Sequence, residues 1–201
     1  GWSRPSGGAG TQRPVWLSVD PPHGRFAVLP NPSVSPDGRR LAFLAPDADG
    51  ALRFWVRDLG SAEAMPVSEG LLFTNASPQQ AFWSPDSRSL AFFADNALYR
   101  SDLDGRAPLR LATAANPRGG TWNADGVILF VPATSGLHRV SASGGTVVPV
   151  GDTLLAANTT DRWPHFLPDG RHFLFLRREP GKQTAVLLGS LDDPATRPIL
   201  D

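Results

Sequence analysis

Cysteine is absent from the 201 residues, which excludes disulfides and thiolate metal sites and leaves the redox compartment open. Lysine is nearly absent as well: Lys182 is the sole example among 19 basic residues, and no basic cluster forms along the chain. Net formal charge is zero, so there is no bulk attraction to nucleic acid or to an anionic membrane, and neither is expected as a partner. No apolar run approaches the roughly 18 residues that a bilayer-crossing helix needs. No signal-peptide pattern is present, and no membrane insertion by this segment is expected. Catalytic signatures are missing too. There is no G-x-S-x-G, no G-x-x-x-x-G-K-[ST] and no H-E-x-x-H.

What is present points to strands and turns. The chain is 41% hydrophobic, enough for a sizeable core. Its 20 glycines and 20 prolines suit many short strands better than long helices. The opening "GWSRPSGGAG" reads as a flexible linker over residues 1–12.

One pattern recurs four times: "PSVSPDGRRLAFLA" from Pro32, "AFWSPDSRSLAFFA" from Ala81, "GTWNADGVILFVPA" from Gly120 and "PHFLPDGRHFLFLR" from Pro164. The turn aspartates are Asp37, Asp86, Asp125 and Asp169, spaced by 49, 39 and 44 residues. A period of roughly 40 to 50 residues fits the blades of a propeller. An apolar residue stands three before each aspartate: Val34, Trp83, Trp122 and Phe166. Pro36, Pro85 and Pro168 preset φ at the corner, and the aspartate can bond back to the backbone. Gly38, Gly126 and Gly170 supply a positive φ, whereas Ser87 takes that place in the second copy at a small expected cost. The third copy is one residue shorter after its glycine.

After each turn comes alternation: Leu41 and Phe43, Leu90 and Phe92, Ile128 and Phe130, Phe173 and Phe175. Residues two apart share a strand face, so each pair points into a core. Each copy is therefore a hairpin, and two further strands follow it. The third strands are "RFWVRDL" from Arg53, "ALYRSDL" from Ala97, "GLHRVSA" from Gly136 and "AVLLGSL" from Ala185. The fourth are "MPVS", "LRLA", "VVPV" and "RPIL". The expected fold is an all-β propeller spanning residues 13–201, with units at about 31–69, 78–112, 119–150 and 162–200. Four four-stranded blades form either a closed ring or part of a larger one. In the second case the open blade face would favour self-association. Val15 to Val19 alternates like an extra outer strand that could close such a ring. "TLLAANTTDR" from Thr153 is weakly helical in pattern and is expected to be a loop.

"SPDGRRLAF" and "WSPDSRSLAFFADNALYRSDLDG" resemble the TolB-type, WD40-like β-propeller repeat. The order of the four turn motifs is also similar to the extracytoplasmic propellers of certain bacterial serine/threonine protein kinases. That resemblance implies a periplasmic sensor region tethered to a cytoplasmic kinase. The chain itself has neither a G-x-G-x-x-G loop nor a His-Arg-Asp catalytic loop, so kinase activity transfers to no residue here. Related rings usually have six or more blades.

Candidate chemistry is sparse. His165 and His172 lie on adjacent strands of one hairpin, but no third ligand stands at a recognised spacing, and no metal site is assigned. "DADG" from Asp47 and "DLDG" from Asp102 echo fragments of a calcium loop, but Asp-Gly turns explain both. "LLGSLDD" has a serine without a positioned base, so no catalytic residue is assigned, and no cofactor is expected. Loops entering the innermost strands line one mouth of a propeller channel. They hold Gln79, Arg118, Arg162 and Trp163, the candidate ligand-binding residues.

The functional expectation is a non-enzymatic interaction or sensor module that binds a protein, peptide or glycan. The alternatives are a propeller accessory to a serine peptidase or hydrolase, and a soluble TolB-like periplasmic scaffold.

Overall fold

A computed structural model describes residues 32–68, 70, 71, 73, 80–133, 136–151, 155 and 157–200. The expected linker, the extra strand at Val15 to Val19, and Gln79 lie outside these residues.

All sixteen described elements are strands, arranged as four antiparallel four-stranded sheets, each in simple chain order. Blade 1 holds β1 (Ser33–Val34), β2 (Arg40–Pro46), β3 (Leu52–Asp58) and β4 (Ala64–Pro66). Blade 2 holds β5 (Ala81–Trp83), β6 (Leu90–Ala94), β7 (Ala97–Ser101) and β8 (Leu109–Thr113). Blade 3 holds β9 (Gly120–Trp122), β10 (Val127–Phe130), β11 (His138–Ser141) and β12 (Val148–Pro149). Blade 4 holds β13 (Thr160–Phe166), β14 (His172–Arg178), β15 (Ala185–Ser190) and β16 (Arg197–Leu200). Each blade's first strand is innermost, because β1 meets β5, β5 meets β9 and β9 meets β13. This is an all-β propeller architecture.

Side-chain chemistry closes each hairpin turn. In the first, the Ser35 hydroxyl donates to Asp37 Oδ1 at 2.6 Å and accepts from the Arg40 amide at 2.9 Å. Ser84 repeats both bonds in the second, to Asp86 at 2.6 Å and from Ser89 at 2.9 Å. The third turn has Asn123 instead, whose Oδ1 accepts from the Val127 amide at 2.8 Å, four residues on rather than five. That tighter turn accounts for the missing residue in the third copy. The fourth has Leu167, and Asp169 Oδ1 itself caps the amides of Arg171 and His172 at 3.0 and 2.9 Å.

The apolar pairs are the leading faces of the blades. Leu90 and Phe92 pack on Ala42, Leu44, Phe54 and Val56 of blade 1. Ile128 and Phe130 pack on Ala91, Phe93 and Leu98 of blade 2. Phe173 and Phe175 pack on Leu129, Val131 and Leu137 of blade 3. The residues between members of a pair form the trailing face, and they are apolar as well. Every residue of β6 is buried. Strands enclosed on both faces read as continuous apolar runs, as sheets covered on both sides do.

Among the described residues no apolar cluster joins blade 4 to blade 1. The trailing positions of blade 4, Leu174, Leu176, Val186 and Leu188, are only half-buried. Among the described residues the four blades thus form an arc.

Three expectations need correction. Val34, at the position filled elsewhere by buried or half-buried aromatics, is 57% exposed, since β1 has no preceding innermost strand among the described residues. The stretch from Thr153 is not wholly a loop, because Thr160, Asp161 and Arg162 belong to β13. Trp83 does more than pack within its blade. Its indole Nε1 donates to the Ser33 carbonyl at 2.9 Å and ties β5 to β1.

Candidate functional site at the channel mouth

The four innermost strands enclose an axial cleft of about 560 Å³, walled in part by Phe82, Trp83, Thr121, Trp122, Trp163 and His165. Each innermost strand runs from one mouth of this cleft towards the hairpin turns at the other. Gln80, Arg118 and Thr160 stand at or just before strand starts, so they share the first mouth. Arg178 joins them, since β14 runs antiparallel to β13 and pairs Arg178 with Thr160. A neighbouring hollow of about 510 Å³ is lined by Arg162, Trp163, Leu176, Arg178, Lys182 and Gln183. Trp163 therefore separates the axial cleft from a basic hollow.

Sequence reasoning places Arg162 and Trp163 just before an innermost strand, whereas both lie within β13. The strand extends further back because pairing continues past the repeat. Buried Asp161 receives Arg177 Nε at 2.8 Å and Nη2 at 3.0 Å, a two-pronged guanidinium–carboxylate pair. The register then shifts between Arg162 and His165. Pro164 has no amide to offer the ladder, so a bulge is the natural place for it. Within the bulge Trp163 takes φ of +49°, a conformation uncommon for a bulky residue. Its amide donates across the blades to the Arg118 carbonyl at 2.7 Å, and the residue stays 53% exposed. Strain held by an inter-blade bond, presenting an exposed aromatic, is the kind of outlier that clusters at binding sites.

Gly119 permits this approach. It has φ of +99°, and a Cβ there would lie 2.9 Å from Gln80 Oε1 and 3.0 Å from Trp163 Cδ1. Gln80 Oε1 and Arg118 Nε are both buried and without hydrogen-bond partners among the described residues. Of the four sequence candidates, the structure brings Arg118, Arg162 and Trp163 together, and Gln79 is not described.

Sequence reasoning misses Gln80 and Arg178. Gln80 adjoins a named candidate, but Arg178 belongs to a different strand and carries no local signal. Arg162 Nε reaches Thr160 Oγ1 at 3.3 Å. Burial, and then the positive charges of Arg118 and Arg178, hold the Arg162 guanidinium below its ordinary range.

Other features are accounted for locally. His172 Nδ1 sits 2.6 Å from Asp169 Oδ2, and it does not line the channel as His165 does. Asp47 caps the amides of Asp49 and Ala51 and pairs with Arg53, while Asp102 accepts from Ser89 and Arg100. No group of three His, Cys, Asp or Glu residues suited to a metal occurs among the described residues. Outer-strand grooves of about 540 and 490 Å³ span only the first two blades, so they lack the convergence found at the channel.

No protein-family model and no curated protein sequence matches the chain. Solved structures do match. TolB from Agrobacterium tumefaciens (described as putative) aligns with TM-score 0.67 at 20% identity, over 88% of this chain and 67% of that one. TolB from Acinetobacter baumannii aligns with TM-score 0.63 at 17% identity, over 84% and 42%. The propeller domain of the Trilobed protease from Pyrococcus furiosus, with an open velcro topology, aligns with TM-score 0.58 at 16% identity, over 88% and 58%. The chain thus spans less than half of the Acinetobacter protein. At such identities the likeness establishes a TolB-like propeller fold, the fold shared with peptidase propeller domains.

Proposed function

We propose that the chain is a non-enzymatic interaction module whose ligand seats at the channel mouth formed by Arg118, Arg162, Trp163 and Gln80. The observation that carries this is the strained, exposed Trp163 beside buried polar atoms that lack partners among the described residues. A rigid frame of blades holds these groups in place, and preorganised groups bind without paying much ordering entropy. The finer placement, an extracytoplasmic sensor region of a bacterial receptor-type kinase, rests on the order of the four turn motifs alone. The propeller of a serine peptidase is the second reading, favoured by fold matches to puromycin hydrolase and to prolyl endopeptidases, of which this chain spans 28%.

The test is a panel of peptides and oligosaccharides presented to the chain, with backbone NMR shifts as readout. Binding should perturb Arg118, Trp163 and Gln80 and leave the panel members intact. Perturbation confined to the outer strands β4 and β8, or cleavage of any member, would overturn the proposal.

A further inference from the structure

The ledger of ion pairs in blade 4 is uneven. Arg177 has its carboxylate, Asp161, and Arg171 has Asp192. Lys182 has Glu179. Arg118, Arg162 and Arg178 have no acidic partner among the described residues, although the chain as a whole is neutral. They come from three separate places: the loop before β9, the start of β13 and the end of β14. Arg162 and Arg178 line one hollow with Trp163, and the Trp163 amide donates to the Arg118 carbonyl at 2.7 Å, so the three stand around one residue. Like charges gathered without a counter-charge destabilise a fold, so a site that keeps them together is suited to an incoming anion. Guanidinium groups match the two oxygens of a carboxylate.

From this convergence we infer that the mouth is a subsite for a carboxylate carried by a peptide, with Arg118, Arg162 and Arg178 as its cationic wall and Trp163 as its apolar shelf. The inference rests on the reading of the mouth as the binding face and adds the chemistry of the ligand. A peptide fits better than a bare anion because the subsite leaves both kinds of group unsatisfied. Arg118 Nε is a buried donor in need of an acceptor, and Gln80 Oε1 is a buried acceptor in need of a donor. A carboxylate answers the first and a peptide N–H the second. Trp163, with half its surface exposed between the hollow and the aromatic cleft, offers a face to an apolar neighbour in the same peptide. Carboxylates reach such a site from acidic side chains or from a free C-terminus, and the chemistry of recognition is shared.

The test uses the full chain and a fluorescein-labelled octapeptide alternating Glu and Leu, followed by fluorescence anisotropy. Its counterparts carry Gln in place of Glu, each with a free or an amidated C-terminus. A fluorine label on Trp163, assigned with Trp163→Phe, reports whether binding occurs at the mouth. The expected result is binding of the Glu peptide, with the amidated Gln peptide weaker by about ten-fold or more. Arg178→Gln and Arg118→Gln should each weaken the Glu peptide by about ten-fold, with melting midpoints no lower than the parent's because each removes a like charge. Arg106→Gln, in the outer β7–β8 turn of blade 2 and 86% exposed in its side chain, should not weaken it. Affinity should fall as salt rises. If only the free C-terminus matters, the terminal carboxylate is the source; if amidation is harmless, side-chain carboxylates are. Either result supports the inference.

Equal binding of Glu and amidated Gln peptides at Trp163 would overturn the carboxylate inference and leave the mouth as a binding face. Inorganic phosphate displacing the Glu peptide at a lower concentration than the unlabelled peptide itself would also overturn it. Binding of every peptide without response at Trp163 would overturn the binding face as well.

Discussion

The backbone N–H of Asp37 donates to the Ser87 hydroxyl at 3.1 Å, joining two hairpin turns that lie 50 residues apart. Arg40 Nη1 adds a bond to the Ser87 carbonyl at 2.9 Å. Ser87 holds φ of +62° and is buried. At the sequence level this serine looks like a flawed glycine, but its hydroxyl links blade 1 to blade 2. Asn123 does related work between blades 3 and 4, donating Nδ2 to the Gly170 carbonyl at 2.7 Å.

Ser87→Ala keeps the strained φ and loses the hydroxyl. Chemical denaturation should show a loss of about 1 to 2 kcal/mol, typical of a buried group left unpartnered. Ser87→Gly removes the strain as well, so its loss should be smaller. An Ala variant as stable as the parent would mean that the inter-turn bond contributes nothing.

Phe92 is fully buried and packs against Phe54, Phe73 and Tyr99 with centroid distances of 5.4, 6.2 and 6.1 Å. Phe92→Ala should destabilise by about 3 to 5 kcal/mol, whereas Arg162→Ala, half-buried at the channel mouth and without an acidic partner among the described residues, should scarcely alter folding. Denaturant midpoints decide this. Equal midpoints would refute the assignment of strand faces.

Two glycines exist to admit rings. A Cβ on Gly189 would lie 2.5 Å from the Phe173 ring, and one on Gly120 would lie 2.7 Å from the Phe82 ring. Neither has a positive φ, so the cost of Ala there is overpacking alone, about 1 to 3 kcal/mol each. Combining Gly189→Ala with Phe173→Leu should recover part of the loss. Strict additivity of the two losses would show that the ring is not the obstacle.

Asp169 has its pKa lowered from 3.8 to about 2, first by the His172 and Arg171 amides and then by the His172 side chain. Asp37 and Asp86 are lowered as well, first by the Ser35 and Ser84 hydroxyls and then by turn amides. A carboxyl with a depressed folded-state pKa stabilises fully above its unfolded value and loses that contribution as pH falls through the folded one. The Asp169 contribution should therefore be present above about pH 4 and vanish towards pH 2. Melting midpoints followed over that window should drop less steeply for Asp169→Asn than for the parent. Parallel curves would remove Asp169 from the acid response.

Much of the blade was legible because its causes are local. Ser35, Asp37 and Gly38 make their turn from bonds spanning five residues or fewer, and the same holds for Ser84, Asp86 and Ser89. Leu90 and Phe92 declare a face by spacing alone. Their partners Ala91 and Phe93 were less legible, since one sequence does not reveal that both faces of β6 meet a neighbouring blade. Arg118, Arg162 and Trp163 were reachable by placing loops on a repeat. Gln80 lies in the same loop as Gln79, but its buried amide without a partner among the described residues shows only in the assembled blades, and Arg178 is brought in only by the pairing of β13 with β14.

By itself the sequence determined four antiparallel hairpin-based sheets, for turn chemistry and two-residue periodicity act within a few residues of where they are written. Only the tertiary structure decided which faces meet, that the blades form an arc, and that three arginines gather at one mouth. Along the chain those arginines stand 44 and 16 residues apart and form no basic cluster. Charge acts through space, and it was the stacking of blade 4 on blade 3 that brought them within reach of one another.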